Sequence, residues 1–177
     1  VFDDGSGQAL YAGGTFLSAG LGVANRIAKW NGTRWSALGS GLGGGDVAAL
    51  AVFDDGSGRA LYASGTFSSA GGAAAERIAR WNGTSWSALA GGWGSGSPLA
   101  IGALAVFDDG SGPALHVGGS MQVPGGSPSD FVARWTGSSW SLLTYPMDGG
   151  ETVLALAAGD IGGGPALYAG GDFVSLG

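Results

Sequence analysis

The sequence predicts an all-β fold built from tandem four-stranded antiparallel units, and three observations predict it. Val1-Phe-Asp-Asp-Gly-Ser-Gly7 returns as Val52–Gly58 and again as Val106–Gly112. The apolar segments run for about five to eight residues between Gly, Asn, Asp or Ser, which is a strand signal. No stretch keeps a 3.6-residue period with capping residues at its ends.

Composition sets the bounds. Of 177 residues, 39 are Gly and 6 are Pro, about a quarter together. That fraction alone would suggest a low-complexity chain. Against it, 45% of residues are hydrophobic, only 11% are charged and the mean hydropathy is +0.25. Such a chain buries enough surface to offset its ordering entropy. Collagen is excluded, because no Gly-X-Y period exists and Pro is scarce. With no Cys there is no disulfide framework and no thiol chemistry. A net charge of −6 with seven basic residues argues against a nucleic-acid partner. The longest apolar runs, such as Leu99–Phe107, are too short to span a bilayer, so no membrane insertion is expected. The first residue is Val1, with no signal peptide, and a piece of a longer chain is expected.

Each repeat reads as four strands. The first is a run such as Val47–Phe53, the second Ala60–Phe67, the third Arg77–Trp81 and the fourth Ser85–Leu89. The Leu of the second strand (Leu10, Leu61, Leu115, Leu167) recurs at spacings of 51, 54 and 52 residues. An aromatic residue follows it, Tyr11, Tyr62, His116 or Tyr168, and then Phe16, Phe67, Met121 or Phe173 further on. Asn31-Gly32 and Asn82-Gly83 fit tight hairpins between the third and fourth strands, since both residue types accept positive φ. An even-length loop there places Trp30 and Trp35 on one sheet face. The Asp-Asp-Gly-Ser-Gly segments join the first and second strands, with Asp side chains able to hold local amides.

The first strand points to the architecture. Ala49, Leu50, Ala51, Val52 and Phe53 are apolar without alternation, so both faces must be covered, whereas a sandwich with one wet face alternates. Stacked propeller blades meet that requirement, and a four-stranded repeat of roughly 50 residues falls in their size range. The expected fold is a β-propeller segment over 1–177: an incomplete blade 1–39, blades 46–90 and 99–145, and the start of another at 151–177. Thirteen strands are expected in all, with three in the first blade and two in the last.

Here the residues resemble the kelch-type β-propeller. Leu10-Tyr11-Ala12-Gly13-Gly14 resembles the kelch second strand with its Gly pair, and Trp30 with Trp35 resembles the aromatic pair beyond it. The likeness covers Leu61–Trp86, Leu115–Trp140 and the start of a copy at Leu167–Gly171. Ser64-Gly65 departs by lacking the first Gly, and Trp stands where the family more often has Tyr. The copies are also similar to Gly- and Ala-rich tandem repeats of large secreted or surface proteins of bacteria. The kelch-like galactose-oxidizing enzymes use copper held by His and Tyr; with one His, this chain does not inherit that function.

Propellers close with roughly four to eight blades. Three arrangements are therefore open: a stretch of a longer propeller, a ring completed by copies of the chain, or a small strained ring.

The candidate sites mostly have structural readings. The Asp-Asp turns could suit calcium, but the copy at Gly159–Gly164 has lost one Asp and a turn role suffices. Trp30, Trp35, Trp81, Trp86, Trp135 and Trp140 could stack on sugars, yet their repetition reads as blade packing. Trp93, with Leu42 and Tyr145 as counterparts, reads as a plug between blades. Asn31-Gly-Thr33 and Asn82-Gly-Thr84 match the N-glycosylation pattern, and the turn accounts for the same residues. Arg26 and Arg77 read as ion pairs or carbonyl caps, and His116 as a packed strand residue. No His cluster or Ser-His-Asp constellation supports catalysis, and no cofactor or metal is expected. A carboxylate pair for glycoside hydrolysis has no support in the spacing.

The expected function is a non-catalytic scaffold or interaction module of a bacterial secreted or cell-surface protein. Loops Leu17–Asn25, Ser68–Glu76 and Gln122–Asp130 would display the binding surface, and near-identical copies would add avidity. Expected partners are other blades of a longer chain or copies of itself, with a protein or glycan as the bound ligand. The alternatives are a carbohydrate-binding propeller lectin, or part of a larger propeller enzyme whose active residues lie outside this segment.

Overall fold

The structure, a computed structural model, describes residues 1–89, 98–122, 128–143 and 152–172. Among these every regular element is a strand. In chain order they are β1 (Phe2–Asp3), β2 (Gln8–Gly13), β3 (Ser18–Ala19), β4 (Gly22–Val23), β5 (Ile27–Trp30), β6 (Trp35–Ala37) and β7 (Leu42–Gly43). Next come β8 (Val47–Asp54), β9 (Arg59–Gly65), β10 (Ser69–Ala70), β11 (Ala73–Ala74), β12 (Ile78–Trp81) and β13 (Trp86–Ala88). The last are β14 (Pro98–Asp108), β15 (Pro113–Gln122), β16 (Pro128–Trp135), β17 (Trp140–Leu142), β18 (Val153–Asp160) and β19 (Pro165–Gly171).

These strands form antiparallel sheets in repeat order. Sheet 1 is β1-β2-β5-β6, sheet 2 is β8-β9-β12-β13, sheet 3 is β14-β15-β16-β17, and sheet 4 is the pair β18-β19. Sheet 1 has four strands where the sequence suggested three, because Phe2 and Asp3 already pair with Ala9 and Gln8. The expected third strand at Arg77–Trp81 starts one residue later, since Arg77 takes φ +67° and leaves the sheet. The expected loops Leu17–Asn25 and Ser68–Glu76 each contain a short hairpin, β3–β4 and β10–β11. In the third repeat β15 and β16 instead pair out to Gln122 and Pro128, which shortens that connection.

Contacts divide the chain into two compact units, Val1–Asp54 with Gly58–Leu89, and Asp55–Ser57 with Ala90–Gly177. In the first unit sheet 1 packs on sheet 2 around Leu38, Leu42, Val47, Ala63, Phe67 and Trp86. One close approach decides the fit. A Cβ on Gly13 would lie 2.3 Å from Val47 Cγ1, so glycine alone leaves room for the β8 valine. The second unit repeats this between sheets 3 and 4, where a Cβ on Gly118 would lie 2.5 Å from Val153 Cγ1. Leu50 and Leu156 stand beside these two contacts.

The apolar opening strands are covered to different degrees. In β8, Val47 and Phe53 are buried and Ala49–Val52 are half-buried, so both faces are in contact. In β18 only Val153 is buried, and Leu154 is 55% exposed. The difference follows from neighbours: among the described residues β18 is packed through Val153 and Leu156 and little covers its other side.

We expect Gly13→Ala and Gly118→Ala each to destabilise their unit by about 1–3 kcal/mol through overpacking. Urea denaturation followed by tryptophan fluorescence measures this, and Gly22→Ala, with nothing within 4 Å of its added Cβ, serves as the control.

Candidate functional site

The first-to-second-strand turns are built by their Asp residues. Asp3 Oδ1 accepts from the amides of Gly5 and Gly7, both at 2.9 Å. Asp108 does the same for Gly110 and Gly112 at 2.9 and 3.0 Å, and Asp160 for Gly162 and Gly164 at 2.7 and 3.1 Å. Both glycines of each turn take positive φ, where a side chain is strained. The fourth copy thus keeps the Asp that closes the turn and loses only the second, where Ile161 is 84% exposed.

That second Asp has another task. Asp4 Oδ1 accepts from Ser6 N and Ser6 Oγ and lies 2.6 Å from Lys29 Nζ, with both side chains largely buried. Lys29 comes from β5, pairs in register with Tyr11, and stands 5.8 Å from the Tyr11 ring centre. Arg80 and Arg134 occupy the same place in their sheets. Arg80 donates to Gly58 O at 3.1 Å, and Arg134 donates to Ser111 Oγ at 2.6 Å and lies 3.8 Å from Asp109. A cation from the third strand thus ties the turn to the sheet in three repeats. The sequence carries a signal for this tie that composition and turn motifs do not reveal: the fourth position of Arg-Ile-Ala-Lys-Trp and its copies is always Lys or Arg.

Burial works against the charge of Asp4, but hydrogen bonds from Lys29 and Ser6 outweigh it and pull the carboxyl down to about 2. Burial, with the Asp4 carboxylate, pushes the Tyr11 hydroxyl up. His116, which replaces Tyr at this position, is buried against Phe107 at 5.7 Å, and its burial lowers its pKa. The packed-strand role expected for His116 is the one it has.

The tryptophans pair across the hairpins as expected. Trp30 faces Trp35, Trp81 faces Trp86 and Trp135 faces Trp140, with ring centres 5.5, 5.4 and 4.9 Å apart. The turns between them differ from the expectation in one respect: Gly32 and Gly83 take positive φ, while Asn31 and Asn82 do not. Each Asn acts through its side chain, whose Oδ1 accepts from Thr33 N and Arg34 N, or from Thr84 N and Ser85 N. Trp86 also donates its indole N–H to Leu38 O at 3.0 Å, which ties sheet 2 to the end of sheet 1. Trp93, Tyr145 and Phe173 lie outside the described residues.

Arg26 and Arg77 are the two non-glycine residues with positive φ among the described residues. That geometry costs on the order of 1–3 kcal/mol. Carbonyl contacts offset it: Arg26 Nη1 donates to Leu42 O at 3.2 Å with Asp46 3.6 Å from its Nε, and Arg77 Nη1 donates to Thr66 O and Phe67 O. Both therefore serve as caps in the loops that follow the second strand.

A cavity of about 280 Å³ on sheet 1 is lined by Ala12, Phe16, Ser18, Ala19, Ala28 and Trp35. Apart from the Ser18 hydroxyl and the Trp35 indole N–H these lining side chains are apolar, so the cavity suits apolar groups rather than a charged or hydroxyl-rich ligand. The described residues hold no group of three or more His, Asp or Glu side chains placed to bind a metal. None of the protein-family models, curated proteins or solved structures compared with the chain matches it.

The Asp4 carboxyl gives a pH signature. Its folded pKa lies below the ordinary 3.8, so its contribution is complete above that value and is lost as pH falls from about 4 to about 2. Asp4→Asn should remove this segment of the stability–pH curve, measured by urea unfolding at each pH. Lys29→Ala should cost about 3–5 kcal/mol at neutral pH, because a largely buried carboxylate loses its partner.

Proposed function

We propose that the chain is a segment of a kelch-like β-propeller acting as a non-catalytic scaffold in a secreted or cell-surface bacterial protein. The observation that carries this reading is the recurrence of one stacking contact, Gly13 on Val47 and Gly118 on Val153, between successive sheets of each unit. Repeats that stack through the same residues form a scaffold whose stability is a sum of repeat and neighbour terms. Function on such a frame falls to the connections at its rim. The hairpins β3–β4 and β10–β11 sit in those connections, and Leu17, Leu21 and Val23 are exposed there. Other repeats, from a longer parent chain or from copies of this one, and a protein ligand are the proposed partners.

The lectin alternative draws on Trp30 and Trp35, which are half-buried where Trp81 and Trp86 are covered. The mostly apolar cavity wall weighs against it, since a sugar ring presents several hydroxyls that each need a polar partner.

Solution X-ray scattering tests the architecture. A flattened, curved particle is expected, and a straight rod-like profile would exclude the propeller. Fractionation of producing cells tests the location, with the parent protein expected in the secreted or surface fraction and a cytosolic location overturning it. A glycan array separates the alternative: no binding is expected, and selective binding that Trp35→Ala abolishes would replace the scaffold by a lectin.

A further inference from the structure

The cavity on sheet 1 has a filled counterpart. Adding 51 to each of its lining positions gives Ala63, Phe67, Ser69, Ala70, Ala79 and Trp86, the same six residue types in the same order. In the second repeat Ala63, Phe67 and Ala79 are fully buried, and Ala70 and Trp86 nearly so. What covers them is the segment leaving sheet 1. Leu38 and Leu42 join their apolar cluster, and Leu38 O accepts the Trp86 indole N–H. The same segment also adds backbone. β7 pairs antiparallel with β10, Leu42 opposite Ala70 and Gly43 opposite Ser69. Ser68 N donates to Gly43 O and Gly71 N to Gly41 O, both at 2.9 Å.

The first repeat has the same seat without the occupant. Its hairpin β3–β4 is folded, with Gly20 against Trp35 as Gly71 lies against Trp86. It stands as a two-stranded sheet, whereas β11-β10-β7 is three-stranded. Leu17 and Gly20 are the counterparts of Ser68 and Gly71, and Leu17 is 58% exposed.

We propose that this face of sheet 1 is a docking site for an extended Ala-Leu-Gly-Ser-Gly-Leu segment from a further copy of the repeat. The segment adds as a third strand along Ser18–Ala19 and lays its two leucines over the Ala12, Ala28 and Trp35 cavity. Strand addition supplies backbone hydrogen bonds, and the cavity selects the side chains. The choice of occupant comes from the second repeat, where the same six residue types already hold that segment. The inference rests on the proposed stacking of repeats, and not on closure of a ring.

The test uses the full chain and a synthetic peptide of residues 36–44, Ser-Ala-Leu-Gly-Ser-Gly-Leu-Gly-Gly. Titration followed by NMR should shift the Leu17 and Gly20 amides and the Trp35 indole, and slow amide exchange at Leu17 and Gly20. A peptide carrying Leu38→Asp and Leu42→Asp should bind at least about tenfold more weakly, since both apolar contacts are lost. On the chain side, Ala28→Glu should abolish binding while near-UV circular dichroism reports its fold. The altered peptide keeps the test decisive should that variant misfold. Absence of shifts at millimolar peptide, shifts that leave Leu17 and Gly20 unmoved, or equal binding of the altered peptide would each overturn the proposal. Perturbation of Trp35 by oligosaccharides and not by the peptide would overturn it in favour of a sugar site. Peptide binding combined with a rod-like scattering profile would keep the seat and remove the ring. A ring-like profile without binding would remove the seat alone.

Discussion

The structure depends on how closely one sheet can approach the next. Val47 and Val153 project from the opening strands of sheets 2 and 4 into the space a Cβ would occupy on Gly13 and Gly118. Protein interiors are packed too densely to absorb such an overlap without moving side chains or backbone. The Ala- and Gly-rich composition of these strands is thus what lets two pleated surfaces meet. Larger apolar groups, Leu50, Phe67 and the Trp81–Trp86 pair, fill the space to either side.

Polar side chains at the Asp turns are arranged to hold the backbone of those turns. In each Asp-Asp turn the first carboxylate is committed to glycine amides, and where a second is present it faces a seryl group. The third-strand cation then binds the turn to the sheet through Asp4, Gly58 or Ser111. The glycine, serine and lysine donors to these carboxylates lie within their own repeat, which gives the repetition along the chain a structural cause. The left-handed Arg26 and Arg77 belong to the same economy: a strained backbone position is kept because its guanidinium satisfies loop carbonyls.

Repetition also makes the uncovered surfaces interpretable. A lone apolar cavity carries little information about its occupant. Here the second repeat presents the same cavity with Leu38 and Leu42 above it, so the geometry of one interior contact describes an exterior one. The lack of a third strand beside β3–β4 and the partial burial of Trp35 have a single cause, namely that no preceding exit segment lies on sheet 1 among the described residues.

The sequence by itself determined the all-β class, the strand order within each repeat, the facing tryptophans and the turn role of Asp3 and its copies. All of these are local: they follow from strand length, from period-2 alternation across a hairpin, and from side chains that reach amides two and four residues away. The tertiary structure decided the rest. That Gly13 and not Gly14 receives a valine, that Lys29 reaches back to Asp4, that Arg26 caps Leu42, and that Leu38–Gly43 closes over Ala70 and Trp86 are contacts between segments distant in sequence. No local pattern encodes which segment approaches which. That choice is made only when sheets pack and each backbone group and apolar surface finds its partner.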